Sequence, residues 1–127
     1  MLISRSTESK YKYHPAENQS GVWSAKFDFT DIHLLRDISG MVGQNLKILE
    51  KNTDVQFIQS AQKVLIRGDQ GKVEKAIKIF LELLSVLESG GILYPADIDQ
   101  SSRMLMRESG VSLVELSKQT IYVGYKK

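Results

Sequence analysis

The residues best placed to do chemistry are Gly40-Met41-Val42-Gly43 and the two that follow, Gln44 and Asn45. Two glycines three positions apart strip the side chains from a turn, so a nucleic-acid backbone can come close to main-chain amides. Gln44 and Asn45 open a helix, where unpaired N–H groups and the positive end of the helix dipole favour an anion. The chemistry on offer is non-covalent capture of phosphate. A second reading stands beside it: glycines here also permit a tight turn between two packed helices, and Met41-Val42 between them supply neither charge nor hydrogen-bond donor.

Other constellations are weaker. Leu65-Ile-Arg-Gly68-Asp-Gln-Gly71-Lys72-Val73 has the outline of a phosphate-binding loop. It has two residues between the glycines where four are needed, and Val73 where a Ser or Thr would hold magnesium. Gly68 is simpler as a turn, with Asp69 capping the helix that follows and Lys72 and Lys75 on its solvated face. His14 and His33 stand apart from any ligand pair. Asp97 and Asp99 fall in the first turn of a helix opened by Pro95, where carboxylates meet the helix dipole favourably. Tyr122, Tyr125, Lys126 and Lys127 suit stacking on RNA and suit an edge strand running into a basic linker equally well. With no cysteine in 127 residues, disulfides, thiolate metal sites and cysteine nucleophiles are excluded, and a reducing cytoplasm is the expected compartment.

Composition narrows the partner. Lys and Arg number 17 against 15 Asp and Glu, a net charge of +2, so nucleic-acid binding must rest on a local site and not on a basic coat. Residues 1–10 lack the apolar core and small-residue cleavage site of a signal peptide, so export is not expected, and the longest apolar stretch, Ile77 to Leu87, is broken by Glu82 and Ser85. It reads as a packed helix, and no membrane partner is expected.

These residues need elements to hold them. Residues 1–21 carry Pro15 and no apolar periodicity, and are expected to form a mobile polar tail. Trp23, Ala25, Phe27 and Phe29 alternate as in a half-buried strand that ends at Thr30-Asp31, either of which can cap the next helix. Ile32, Leu35 and Ile38 give that helix its face, and Leu46 and Leu49 give one to the helix after the glycine turn. Val55 to Ile58 and Lys63 to Arg67 have the spacing of a hairpin. A long helix follows with Val73, Ala76, Ile77, Phe80, Leu81, Leu84 and Leu87 in one stripe. Ser89-Gly90-Gly91 ends it, a helix with Ile98, Met104 and Leu105 comes next, and Thr120 to Tyr125 reads as a closing strand.

The order β-α-α-β-β-α over residues 22–89, with Gly-x-x-Gly between the first two helices, resembles the type I KH domain, a single-stranded nucleic-acid binding module. The resemblance extends to the apolar positions Ile38, Leu46, Leu49, Val55 and Phe57 on both sides of the loop. It implies an α+β fold with a small sheet packed on helices, and about four nucleotides held between the loop and the first hairpin strand. The site residues it implies are Gly40, Met41, Val42, Gly43, Gln44 and Asn45, with Lys47 on phosphate and Ile38, Gln56 and Ile58 beside the bases. A narrower resemblance is to the N-terminal region of PhoH-family proteins, carried by Ile38 to Leu46, Val64-x-Ile66-x-Gly68, Gly90-Gly91, Pro95-x-Asp97-Ile98 and Gln119-Thr-Ile-Tyr-Val. It implies that residues 90–127 form a helix-strand extension leading to a P-loop ATPase domain absent from this chain. ATP and magnesium then belong to that domain, this chain holds no cofactor and catalyses nothing alone, and its partner is single-stranded RNA. The rival is a KH-shaped protein-interaction or oligomerisation scaffold that binds no nucleic acid and whose Met41-Val42 loop docks on its own ATPase domain, another subunit or another protein.

Overall fold

The computed structural model describes residues 9–107 of the chain. Two strands come first, β1 (Tyr11–Gln19) and β2 (Val22–Phe29). Helix α1 (Ile32–Ser39), a 3-10 turn (Met41–Gly43) and helix α2 (Gln44–Thr53) follow. Strands β3 (Gln56–Ser60) and β4 (Lys63–Gly68) form a hairpin that leads into α3 (Gln70–Glu88) and then α4 (Pro95–Arg107). The result is an α+β fold on one antiparallel four-stranded sheet, ordered β1-β2-β4-β3.

Strand β1 corrects the expected tail. Tyr11 and Tyr13 face the core, with ring centroids 5.7 and 4.9 Å from Phe27. Ser20 and Gly21 both have positive φ, the geometry of a type I′ hairpin turn that suits the twist of the flanking strands. Pro15 does not break the strand because β1 lies at the sheet edge and Pro15 falls within a bulge between His14 and Glu17, where no ladder donor is needed. The bulge also shifts the side-chain alternation, which hid the strand in the sequence.

The core forms where β2, β3 and β4 meet the helices. Ala25, Phe27, Phe29, Phe57, Val64 and Ile66 point to one side of the sheet, and Phe80 of α3 meets Phe27 edge-on at 4.8 Å. Helix α3 touches β2 and β4 as well as α1, α2 and α4, so its buried surface exceeds one stripe. Ile79 and Leu83 are therefore buried with the expected Val73, Ala76, Ile77, Phe80 and Leu84, whereas Leu81 and Leu87 are only partly covered. Helix α4 lies beyond the expected boundary at Gly90 but brings Ile98 and Leu105 into the same core. It is locked to α2 by Asn52, whose amide donates to Asp99 Oδ1 at 2.9 Å and to Ser102 Oγ at 2.8 Å. The expected strand from Thr120 to Tyr125 lies outside the described residues.

Candidate functional site

Helix α1 is started by Asp31, whose carboxylate accepts from the N–H groups of His33 at 2.8 Å and Leu34 at 3.1 Å. The Leu34 bond does most to hold that carboxyl below its ordinary value, with further help from His33 and Lys10. Leu34, Leu35 and Ile38 seat the helix on the core, and it stops at Gly40, whose N–H donates to Arg36 O at 2.9 Å. Gly40 has φ 79° and ψ 175°, a backbone region open essentially to glycine alone. The turn then passes through Val42 at φ 52° and Gly43 at φ 69°. No side chain caps α2 at Gly43, and the expected free donor at Gln44 is absent because the turn uses it: the Gly43 N–H donates to Gly40 O at 3.1 Å and the Gln44 N–H to Met41 O.

The two glycines do different work. A Cβ on Gly40 would lie 2.7 Å from Cγ of Asn45, which is itself buried behind the turn. A Cβ on Gly43 would meet nothing within 4 Å. Internal packing thus requires the first glycine; at the second, the fold needs only the left-handed backbone, and the missing side chain leaves the approach to the turn clear. Met41 and Val42 form the tip and are 74% and 90% exposed.

Beside the turn runs an open groove of about 790 Å³ between α1, α2 and the free edge of β3. Leu46 and Phe57 make its apolar floor, Arg36 and Lys47 bring positive charge, and Gln59 and Ala61 close the strand side. Glu50, also in the lining, accepts the Phe57 N–H at 2.9 Å and so fastens α2 to β3. That bond marks the phase of the strand: Phe57 and Gln59 turn their main-chain groups to the open edge, where the Phe57 N–H is already taken by Glu50, while Gln56, Ile58 and Ser60 turn theirs to β4. The hydroxyl of Ser39, another lining residue, and the Asn45 carboxamide oxygen are buried and have no hydrogen-bond partner among the described residues.

Of the expected site residues, Gly40, Met41, Val42, Gly43 and Lys47 line this groove. Gln44 is exposed outside the lining, and Asn45 supports the turn from behind. Ile38 is fully buried in the core and offers no surface to a ligand. Gln56 and Ile58 project from the opposite side of the sheet, because Val55 and Phe57 take the inward phase. Sequence reading missed Arg36, Glu50, Phe57 and Gln59. The buried pair Val55 and Phe57 carried the strand phase, and Arg36, one helical turn before Gly40, was open to the same reading.

The weaker constellations have structural roles. Lys72 binds Asp54 at 2.6 Å, a contact that lowers the Asp54 pKa and raises that of Lys72. Asp69 stands at the start of α3, though its side chain makes no capping bond. Asp97 accepts from Tyr94 N–H at 2.8 Å, and Asp99 is held by Asn52 and Arg103. Among the described residues no group of three His, Cys, Asp or Glu could hold a metal ion, and no helix is long and apolar enough to cross a membrane.

No family model matches the chain, and no curated protein matches it. Among solved structures it is similar to a protein of unknown function from Aeropyrum pernix, with a TM-score of 0.51 at 16% identity. The match covers 82% of this chain and 55% of that one, so the chain corresponds to about half of that protein's length. The likeness is one of fold.

Proposed function

We propose that the chain is a non-catalytic, KH-like module that binds single-stranded RNA in the groove between the Gly40–Gly43 turn and β3. The observation that carries this reading is the groove beside the turn, which has an apolar floor of Leu46 and Phe57, Arg36 and Lys47 in its lining, and open space at Gly43. From β2 to α3 the element order is β-α-α-β-β-α, with the turn between the two consecutive helices, which supports the KH-like reading. Phosphates would meet the open approach to the turn at Gly43 and the Lys47 ammonium, with the positive end of the α2 dipole behind them. Bases would lie over Leu46 and Phe57, within reach of the Phe57 carbonyl and the main-chain groups of Gln59. The PhoH resemblance makes the module the N-terminal recognition domain of a cytoplasmic P-loop ATPase acting on RNA.

Fluorescence anisotropy of labelled single-stranded RNA and DNA across a salt series tests this, with Gly43→Asp alongside. Asp tolerates the left-handed backbone better than most residues and would clash with nothing there, so the variant keeps its fold while placing a carboxylate at the phosphate site. Affinity falls roughly tenfold or more, equivalent to about 1.4 kcal/mol. Unchanged binding refutes the groove as the site.

One observation favours a second reading. Met41 and Val42 are the two most exposed large hydrophobic residues of the described chain, which suits a knob that docks on a protein, the ATPase domain or another subunit. Replacing both by Lys separates the readings. RNA affinity rises if the loop meets phosphate, and docking weakens if it is an apolar knob.

A further inference from the structure

The helices pack on one side of the sheet and leave the other uncovered among the described residues. On that open side the register brings together Lys12 of β1, Lys26 of β2, and Lys63 and Arg67 of β4. Only two acids, Glu17 and Asp28, share the face, and none of the four cations makes an ion pair or side-chain hydrogen bond among the described residues. His14 stands directly across from Lys26, so no acid faces that lysine from β1. The bulge in β1 bends the edge and helps shape a hollow of about 500 Å³ whose lining includes His14, Lys26, Leu65 and Arg67 together with one acid, Glu17.

Asp28 stands across from Lys12 and Lys63, but at the hollow Lys26 and Arg67 outnumber Glu17 and neither is ion-paired among the described residues, so the hollow has positive charge to offer an anion. The remaining parts of this chain do not supply it: residues 1–8 contain one Arg and one Glu, and residues 108–127 contain three Lys and two Glu. Apart from His14, the face has no aromatic ring on which bases could stack, so its chemistry suits phosphates and not base recognition. Its position matters as well. Strand β3 is at once a wall of the RNA groove and the edge of this sheet, and Arg67 is paired with Gln56 of β3.

We propose that the open sheet face is a second contact surface for single-stranded RNA, on which Lys26 and Arg67 bind the phosphates of nucleotides that leave the groove over the β3 edge. The proposal rests on the RNA-binding reading given above. About four nucleotides fill the groove of a KH-like module. Crossing from β3 to β1 adds about 14 Å, three strand spacings.

The test compares a labelled tetranucleotide and a dodecanucleotide RNA binding to the full chain, to the K26S/R67S double variant and to Gly43→Asp, between 50 and 200 mM salt. A conservative K26R/R67K variant and thermal melts control for folding. Each phosphate contact on a single strand contributes about 0.7 to the salt slope, so losing two makes the dodecamer's fall in affinity over this range about sevenfold smaller. The double variant leaves tetramer binding unchanged, and K26R/R67K keeps the full slope. Dodecamer binding that is sensitive to Gly43→Asp but indifferent to K26S/R67S overturns the proposal and leaves the groove standing. Dodecamer binding lost in K26S/R67S and retained in Gly43→Asp upholds the sheet face and overturns the groove. No RNA binding at 50 mM salt overturns both. Poly-glutamate that competes as well as RNA, charge for charge, overturns the proposal in favour of an acidic protein surface.

Discussion

Gly40 and Asn45 form a contact with no room for a side chain at position 40: a Cβ there would sit 2.7 Å from Asn45 Cγ. Three residues later, Gly43 is free of any such constraint. Gly40→Ala therefore combines backbone strain with overpacking and costs about 3 kcal/mol, whereas Gly43→Ala costs about 1 kcal/mol. Urea denaturation of both variants checks the ordering. Equal costs would mean that the turn has a different shape.

Val42 is a β-branched residue at φ 52°, ψ 33°, with 90% of its surface exposed. It has strain and little packing to offset it. Val42→Asn, which tolerates this backbone, raises stability by about 1 kcal/mol. A loss of stability in the same denaturation series would show that the valine side chain is held by contacts.

Helix α4 depends on Asn52. Removing its amide with Asn52→Ala costs about 1 kcal/mol and lowers the melting temperature at neutral pH. Asp99 is held below its ordinary pKa first by the Asn52 hydrogen bond and then by Arg103. A lowered carboxyl stabilises the fold above its unfolded pKa, and that contribution disappears as pH falls through the folded value. Asp31 and Asp54 are lowered too, so melting temperature declines on acidification below about pH 4. In Asn52→Ala the gap to the parent narrows over that window. Calorimetry from pH 7 to pH 2.5 measures it, and a gap constant with pH would contradict the assignment.

Much of this was legible in the residues, and the exceptions have local causes. The alternation from Trp23 to Phe29 survives because β2 has one buried face, and most of the stripe from Val73 to Leu84 survives because it falls inside the wider buried surface of α3. Strand β1 was hidden by Pro15 and by a bulge that changes which residues face inward. The turn was legible because glycine spacing is a local signal. The far wall of the groove was not, since the choice of Phe57 and Gln59 over Gln56 and Ile58 depends on which edge of β3 the sheet leaves free. Ile38 fits the apolar pattern of a binding floor and of a core equally well, and tertiary packing put it in the core.

The importance of β1 can be measured directly. Tyr13 packs its ring against Phe27, which in turn meets Phe80. Phe80→Ala, at the centre of that chain of rings, costs about 4 kcal/mol. Tyr13→Ala, at its half-exposed end, costs about 2 kcal/mol. A Tyr13→Ala cost near zero would mean that β1 adds nothing to the fold.

The most direct test of the central claim is an amide chemical-shift titration of the isotopically labelled chain with a short single-stranded RNA. The groove account predicts that the largest changes fall on residues 40–47 and on Phe57 and Gln59, with Ile38 and the far side of α3 little affected. Saturating RNA that leaves those amides unmoved, or shifts confined to another surface, would contradict it.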